Sequence, residues 1–181
     1  MPFAYFDRLS APRKRIYLRS DEIHEVPLAS QESDQALLAA IAAGLQADQR
    51  REVAVVSQAL LSGLAARLSV PPIEVKVLAV RPHGQWGELH GLYEPNEPPA
   101  DATITVWMRT VARKQVVAYK SFVRTLLHEM CHHLDYELYQ FPETFHTEGF
   151  YKRESSLFRR LHGEAPAPAS PGGVGLERDV S

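Results

Sequence analysis

The residues best suited to chemistry lie in the run His128-Glu129-Met130-Cys131-His132. On an α-helix, two histidines four positions apart lie one above the other on the same face, so both imidazoles reach one metal ion. Glu129 lies between them and is expected to point into the adjoining cleft, where its carboxylate can act as a general base. The spacing therefore predicts a zinc-peptidase arrangement, with His128 and His132 as metal ligands and Glu129 as the catalytic residue.

The sequence around this motif favours a helix. From Lys114 to Tyr139 the chain contains neither glycine nor proline, and its apolar residues recur with helical spacing. At about 100° per residue, one narrow sector carries polar residues, namely Ser121, Thr125, His128, His132, Asp135 and Tyr139. The opposite side is apolar, so we expect one face to pack in the core and the other to carry the chemistry.

A third metal ligand is expected downstream, because a catalytic zinc ion takes three protein ligands and keeps a position open for water. Pro142 should end the motif helix and let the chain turn back, which makes His146 the preferred candidate. Its competitors are Glu143, Glu148 and above all Glu154, which falls on the apolar face of a last helix, where an unpaired carboxylate is costly to bury. Glu154 would either bind the metal or orient a ligating imidazole.

Four more polar residues near the motif are candidates for supporting roles. Asp135 lies one turn after His132 on the same face, so we expect it to support a ligand rather than bind the metal. The tetrahedral oxyanion formed in peptide hydrolysis needs a stabilising group. Tyr136, Tyr139 and Tyr151 are the candidates for it, with a half-buried structural aromatic as the alternative for each.

These motifs resemble a known family. The combination of HEMCHH, His146 followed four positions later by Phe150, and a basic amphipathic helix ending in FRRL is similar to the SprT-like zinc metallopeptidases with a compact HExxH core. The likeness covers roughly residues 30–162, and its specific motifs lie between about 103 and 161.

The resemblance implies a small α+β, zincin-like domain that hydrolyses peptide bonds with one zinc ion per chain. It also implies particular roles, with the zinc held by His128, His132 and His146 and with Glu129 as the base. A peptide or protein is then the expected substrate. Nucleic acid is a candidate partner by analogy with that family alone, because the chain has no zinc ribbon or other evident nucleic-acid module.

Hydrophobic periodicity predicts the elements that must position these residues. Two upstream helices are expected, over residues 33–47 with Ser33 or Asp34 as the cap, and over 49–68. Strands are expected next, in a short mixed or antiparallel sheet that precedes the motif helix, over residues 73–79, 86–93 and 103–111. The last strand, Thr103 to Arg109, is our candidate for the sheet edge that binds a substrate backbone as an added strand.

The chain is expected to form one domain, over residues 31–162, with an N-terminal arm over 1–30 and a disordered tail over 163–181. The arm could pack over the body, form a short strand around Arg15 to Arg19, or be loosely ordered. Its basic cluster Arg13-Lys14-Arg15 is expected to be solvated. If the arm covers the cleft, the enzyme would be latent.

Composition excludes several classes of protein. The net charge of -2 over 181 residues argues against a dedicated nucleic-acid-binding surface. The single cysteine, Cys131, rules out an internal disulfide and a cysteine-rich zinc ribbon, and we expect it to be a small buried thiol. We find neither a signal peptide nor a membrane span, so a cytoplasmic location is expected. The alternative to a peptidase is a zinc-stabilised, catalytically silent binding or scaffolding protein, which would have no use for Glu129.

Overall fold

The computed structural model describes residues 3–84, 87–95, 97 and 101–164. It contains a single 3-10 turn and the following helices and strands within that part of the chain: the turn Phe6–Arg8, α1 Ala11–Asp21, α2 Glu32–Gln46, α3 Arg50–Leu68, β1 Ile73–Val80, β2 His83–Gly84, β3 Gly87–Glu88, β4 Gly91–Glu94, β5 Ala102–Arg109, α4 Tyr119–Glu137 and α5 Glu148–Leu161. The predicted α+β class is confirmed. From residue 165 onward, the predicted disordered tail lies outside the described residues.

A three-stranded mixed sheet with strand order β1-β5-β4 forms one layer of the domain. Strand β1 runs parallel to β5, in a register that pairs Ile73 with Ala102 and Val80 with Arg109. Strand β4 runs antiparallel to β5 and pairs Gly91 with Val106. The short strands β2 and β3 pair only with each other. The predicted strand over residues 86–93 is therefore two short strands separated by the segment 89–90, and Trp86 lies outside the described residues.

The prediction that Thr103 to Arg109 forms the sheet edge is wrong. Strand β5 lies between β1 and β4, and every one of its residues except Arg109 is buried. An apolar run buried on both faces is typical of a central strand. The edge nearest to the motif helix is instead β4, which packs against α4.

Helix α4 begins at Tyr119, five residues later than predicted. The preceding residues continue the sheet, because Val116 bridges to Arg109 and the Val117 amide donates to the Met108 carbonyl over 2.8 Å. Lys114 has a φ of 49°, which reverses the chain between these pairings. The apolar side of α4 lies in the core as expected, with four leucine and methionine side chains fully buried, namely Leu126, Leu127, Met130 and Leu134. Cys131 is also fully buried, as predicted.

The upstream helices α2 and α3 pack against each other and against β1. Neither Ser33 nor Asp34 caps α2, which starts at Glu32. Asp34 instead forms a two-pronged ion pair with Arg67 of α3, with N–O distances of 2.7 and 3.0 Å. The predicted cap is therefore wrong, because a long-range charge pair engages the carboxylate.

Of the three alternatives for the N-terminal segment, the structure favours an arm packed over the body, because residues Ala11–Asp21 form a helix, α1, and not a strand around Arg15 to Arg19. This helix packs against α5, and Tyr17 on its inner side is fully buried. Within the described ranges, no helix is long and apolar enough to cross a membrane.

A buried hydroxyl in α3 yields a stability prediction. Ser57 is fully buried, and its Oγ makes no hydrogen bond to any described residue. We expect Ser57→Ala to raise the free energy of unfolding by about 1 kcal/mol, because the variant no longer buries an unpaired polar group. Ser62→Ala is the control, since Ser62 is exposed on the same helix. Urea unfolding measures both, and a destabilised Ser57→Ala would contradict the prediction.

Candidate metal centre

Three imidazoles converge beside helix α4. His128 and His132 lie on successive turns of that helix, and His146 lies in the loop between α4 and α5. The Nε2 atom of His146 is 3.0 Å from that of His128 and 3.1 Å from that of His132. Ligands of a tetrahedral zinc ion lie about 3.3 Å apart. The three nitrogens are therefore close enough to bind one metal ion.

Hydrogen bonds at the far side of two rings fix which nitrogen faces this point. The Glu154 carboxylate lies 3.2 Å from His128 Nδ1, and a carboxylate only accepts, so His128 Nδ1 carries the proton. Thr144 donates its hydroxyl proton to Asp135 over 2.7 Å, so its oxygen accepts from His132 Nδ1 over 2.9 Å. Both Nε2 atoms thus present lone pairs toward His146. A metal ion among the three nitrogens would accept both of these lone pairs.

The surroundings of His132 and His146 favour their neutral forms, as metal binding requires. Burial, reinforced by the neighbouring His128 and His146, lowers the pKa of His132 to about 3. Burial and His128 likewise lower the pKa of His146. Phe150 packs against all three imidazoles, with ring centroids 4.7 to 5.1 Å away, and forms an apolar floor under the site.

Asp135 supports a ligand, but it faces away from the cleft. Its Oδ1 accepts a hydrogen bond of 2.7 Å from Arg153 of α5, and both side chains are fully buried. Its Oδ2 accepts from Thr144, which in turn holds His132. The polar sector predicted for α4 therefore divides, with His128 and His132 on the cleft and Asp135 in the interior.

Glu154 orients an imidazole in this structure and lies outside the group of converging ligand atoms. Besides its contact with His128, it pairs with Arg124 over 3.1 Å. The other two candidates are also placed away from the metal position, since Glu143 pairs with Arg13 and Glu148 pairs with Lys152. The neighbouring His133 is structural, because its Nε2 lies 3.0 Å from the Pro71 carbonyl oxygen.

Glu129 lies on the wall of the cleft, between α4 and the edge strand β4. The backbone amide of Tyr93 donates to its carboxylate, and Gly91 approaches so closely that a Cβ there would overlap the Glu129 carboxylate. Burial raises the pKa of Glu129 to about 7, although the nearby His128 and the Tyr93 amide partly oppose this rise. A carboxylate with a pKa near neutrality is suited to accept and return a proton.

The cleft has a volume of about 670 Å³. Strand β4 forms one wall and helix α4 the other, and the described lining includes Tyr136 and Tyr151. Tyr151 also stacks on His146. Tyr139 is not brought to the site, because it follows the end of α4 and its hydroxyl donates to the Glu25 carbonyl. Its predicted oxyanion role is therefore not supported by the geometry.

Sequence reasoning missed three residues that shape the site. Thr144 holds His132 directly, and Arg153 supports Thr144 through Asp135. Tyr93 stacks over His132 with ring centroids 6.3 Å apart. Only Arg153 gave a usable signal, as a charged residue three positions after Phe150 on the inner face of α5. The other two are placed by loop and sheet geometry.

Comparison of the chain with known protein families, characterised proteins and solved structures found no match.

The geometry predicts which residue completes the metal site. We expect one metal ion per chain in the wild type and loss of the ion in His146→Ala. Glu154→Ala should retain the ion but bind it about 10-fold more weakly, because Glu154 only orients His128. Elemental analysis of the purified proteins measures the content, and a chelator titration measures the affinity. Loss of metal in Glu154→Ala with retention in His146→Ala would reverse the assignment.

The pKa of Glu129 yields a second prediction, for the metal-free protein. Its pKa of about 7 when folded exceeds its ordinary value of 4.5, so between these two pH values the folded state binds more protons than the unfolded state and loses stability as pH rises. We therefore compare the free energy of unfolding of Glu129→Gln with that of wild type at two pH values. We expect this difference to favour the variant by about 2 kcal/mol more at pH 8 than at pH 5. Urea unfolding in EDTA tests this, and a difference between the two proteins that is independent of pH would contradict it.

Proposed function

We propose that this chain is a zinc-dependent metalloendopeptidase that hydrolyses peptide bonds. The observation that carries the proposal is the position of Glu129. Its carboxylate lies in the cleft with the three converging imidazoles, yet it is not a member of their ligand group. A purely structural zinc site is closed by four ligands and needs no such carboxylate.

The donor set favours zinc over a hard cation. Three neutral imidazoles are nitrogen ligands, which zinc accepts in tetrahedral sites, whereas magnesium and calcium prefer oxygen. A zinc ion held by His128, His132 and His146 would supply Lewis acidity to a water molecule and to the substrate carbonyl.

Glu129 is the proton carrier of the proposed reaction. Its carboxylate accepts the proton of the attacking water, and the resulting acid returns that proton to the nitrogen of the leaving amine. Burial raises the pKa of Glu129, which makes it a stronger base than a solvated glutamate, and the charge of a bound zinc ion would favour its ionised form. The Tyr93 amide and Gly91 hold the carboxylate against the cleft wall.

The edge strand favours a polypeptide as substrate. Strand β4 borders the cleft and is paired on one side with β5, so a substrate segment can add to it as a further strand. Backbone pairing gives affinity for any extended peptide without demanding one side chain. Tyr136 and Tyr151 line the same cleft and are the groups we assign to the oxyanion.

The likeness to the SprT-like metallopeptidases remains a prediction, because no known family matches the chain. Nucleic acid remains a candidate partner by family analogy alone, and a cytoplasmic location remains a prediction.

Substituting Glu129 tests the mechanism. We expect Glu129→Gln to lower kcat by about 1,000-fold or more while its zinc content and fold are unchanged, because the amide cannot take up the proton. Cleavage of casein and of a fluorescence-quenched peptide mixture measures the rate in zinc-loaded protein. Glu137→Gln is the matched control on the same helix, since Glu137 is not among the described residues that line the cleft.

Two results would refute the proposal. Equal rates for Glu129→Gln and wild type would rule out the assigned base. A wild type that binds one zinc ion but cleaves no substrate would favour the zinc-stabilised binding or scaffolding protein.

A further inference from the structure

The loop that carries the third histidine is held from outside by the N-terminal segment. This loop, residues 141–147, is the second part of the connection from α4 to α5 and contains both Thr144 and His146. Few of its backbone groups form hydrogen bonds within the loop. Among the described contacts, the internal backbone bond is the one from the Thr147 amide to the Phe145 carbonyl. Its position therefore depends on neighbouring segments.

Three residues near the N-terminus contact the outer side of the loop. The Tyr5 hydroxyl donates to the carbonyl oxygen of His146 over 2.8 Å. Arg13 forms a two-pronged ion pair with Glu143. The buried ring of Tyr17 packs against Phe145, with centroids 6.1 Å apart.

The end of α1 fixes the point where the loop enters α5. Asp21 accepts a hydrogen bond of 2.9 Å from the Gly149 amide in the first turn of α5. The two helices touch here, because a Cβ on Gly149 would lie 2.5 Å from the Asp21 carbonyl oxygen and 2.6 Å from that of Ser20. Only glycine permits this approach without a shift of backbone.

The same helix end reaches a second metal ligand through Arg153. This guanidinium donates to the carbonyl oxygens of Ser20 and Ile23 over 2.6 and 2.7 Å, and also to the Asp135 carboxylate. Asp135 accepts from Thr144, which holds His132. Residues 20–23 are therefore linked to His132 as well as to the loop that bears His146.

We propose that residues 3–23 act as a clamp that positions His146 and Thr144 and thereby sets the affinity of the metal centre. The proposal rests on the three-histidine metal site and is independent of peptidase activity. It differs from an inhibitory arm, because none of the described residues that line the cleft belongs to residues 3–23. Loosening the clamp should weaken metal binding rather than open the cleft.

Two variants of the full-length chain loosen the clamp and leave every proposed metal ligand in place. Tyr5→Phe removes only the hydroxyl that donates to His146. Gly149→Ala improves helix propensity but forces α1 away from α5. Thr144→Val removes the hydrogen bond that supports His132 directly, and its loss of metal affinity is the reference for the other two variants. Arg15→Gln is the control, since Arg15 is exposed on α1 two positions after Arg13 and so on a different face.

The dissociation constant for Zn²⁺ is measured by competition with a chromophoric chelator. We expect it to rise about 10-fold in Tyr5→Phe and in Gly149→Ala, at least 10-fold in Thr144→Val, and not at all in Arg15→Gln. The absorption of bound Co²⁺ should change in the first three variants, because a displaced imidazole alters the ligand field. Urea unfolding of the metal-free proteins reports separately on the fold.

A merely structural role would show as lower metal-free stability with an unchanged dissociation constant and Co²⁺ spectrum, and that result overturns the proposal. So does a wild type that binds neither ion. A wild type that binds zinc without cleaving peptides refutes the peptidase alone, and the clamp is then supported by the weaker binding of Tyr5→Phe and Gly149→Ala.

Discussion

The buried ion pair between Arg153 and Asp135 joins the parts of the molecule on which the site depends. Both side chains are fully buried, so neither charge is solvated by water. Further hydrogen bonds, from Arg153 to the end of α1 and from Thr144 to Asp135, offset part of the cost of burying them. Burial still raises the pKa of Asp135, and Arg153 Nε has no hydrogen-bond partner among the described residues. Breaking such a pair typically costs about 3 to 5 kcal/mol, because one charge is left uncompensated. The pair thus connects α1, α4, α5 and the loop of His146.

The same low-dielectric surroundings set the protonation states at the site. Burial disfavours charge, so it lowers the pKa of His132 and raises the pKa of Glu129. Neutral imidazoles bind metal ions, and a carboxylate with a raised pKa is a stronger base. One physical cause therefore prepares both the ligands and the proposed catalytic base.

The errors of sequence interpretation share a common cause. Thr103 to Arg109 has the sequence pattern of a strand and directly precedes the motif helix. The sequence of one strand does not determine which strands pair with it, however, and β4 forms the sheet edge instead. Asp34 has the residue type of a helix cap, but its carboxylate pairs with Arg67. Tyr139 shares the polar sector of α4 on a helical wheel, but the helix ends at Glu137.

The sequence by itself determined the helix, its buried face and the pairing of His128 with His132, because these follow from the local geometry of 3.6 residues per turn. It also indicated His146 as the preferred third ligand, with Glu154 as its competitor, because a proline after the motif helix lets the chain turn back. Only the tertiary structure decided that Glu154 orients His128, that Thr144 and Asp135 support His132, and that α1 holds the loop. These contacts join residues distant in the chain, so they depend on how the helices and the sheet pack.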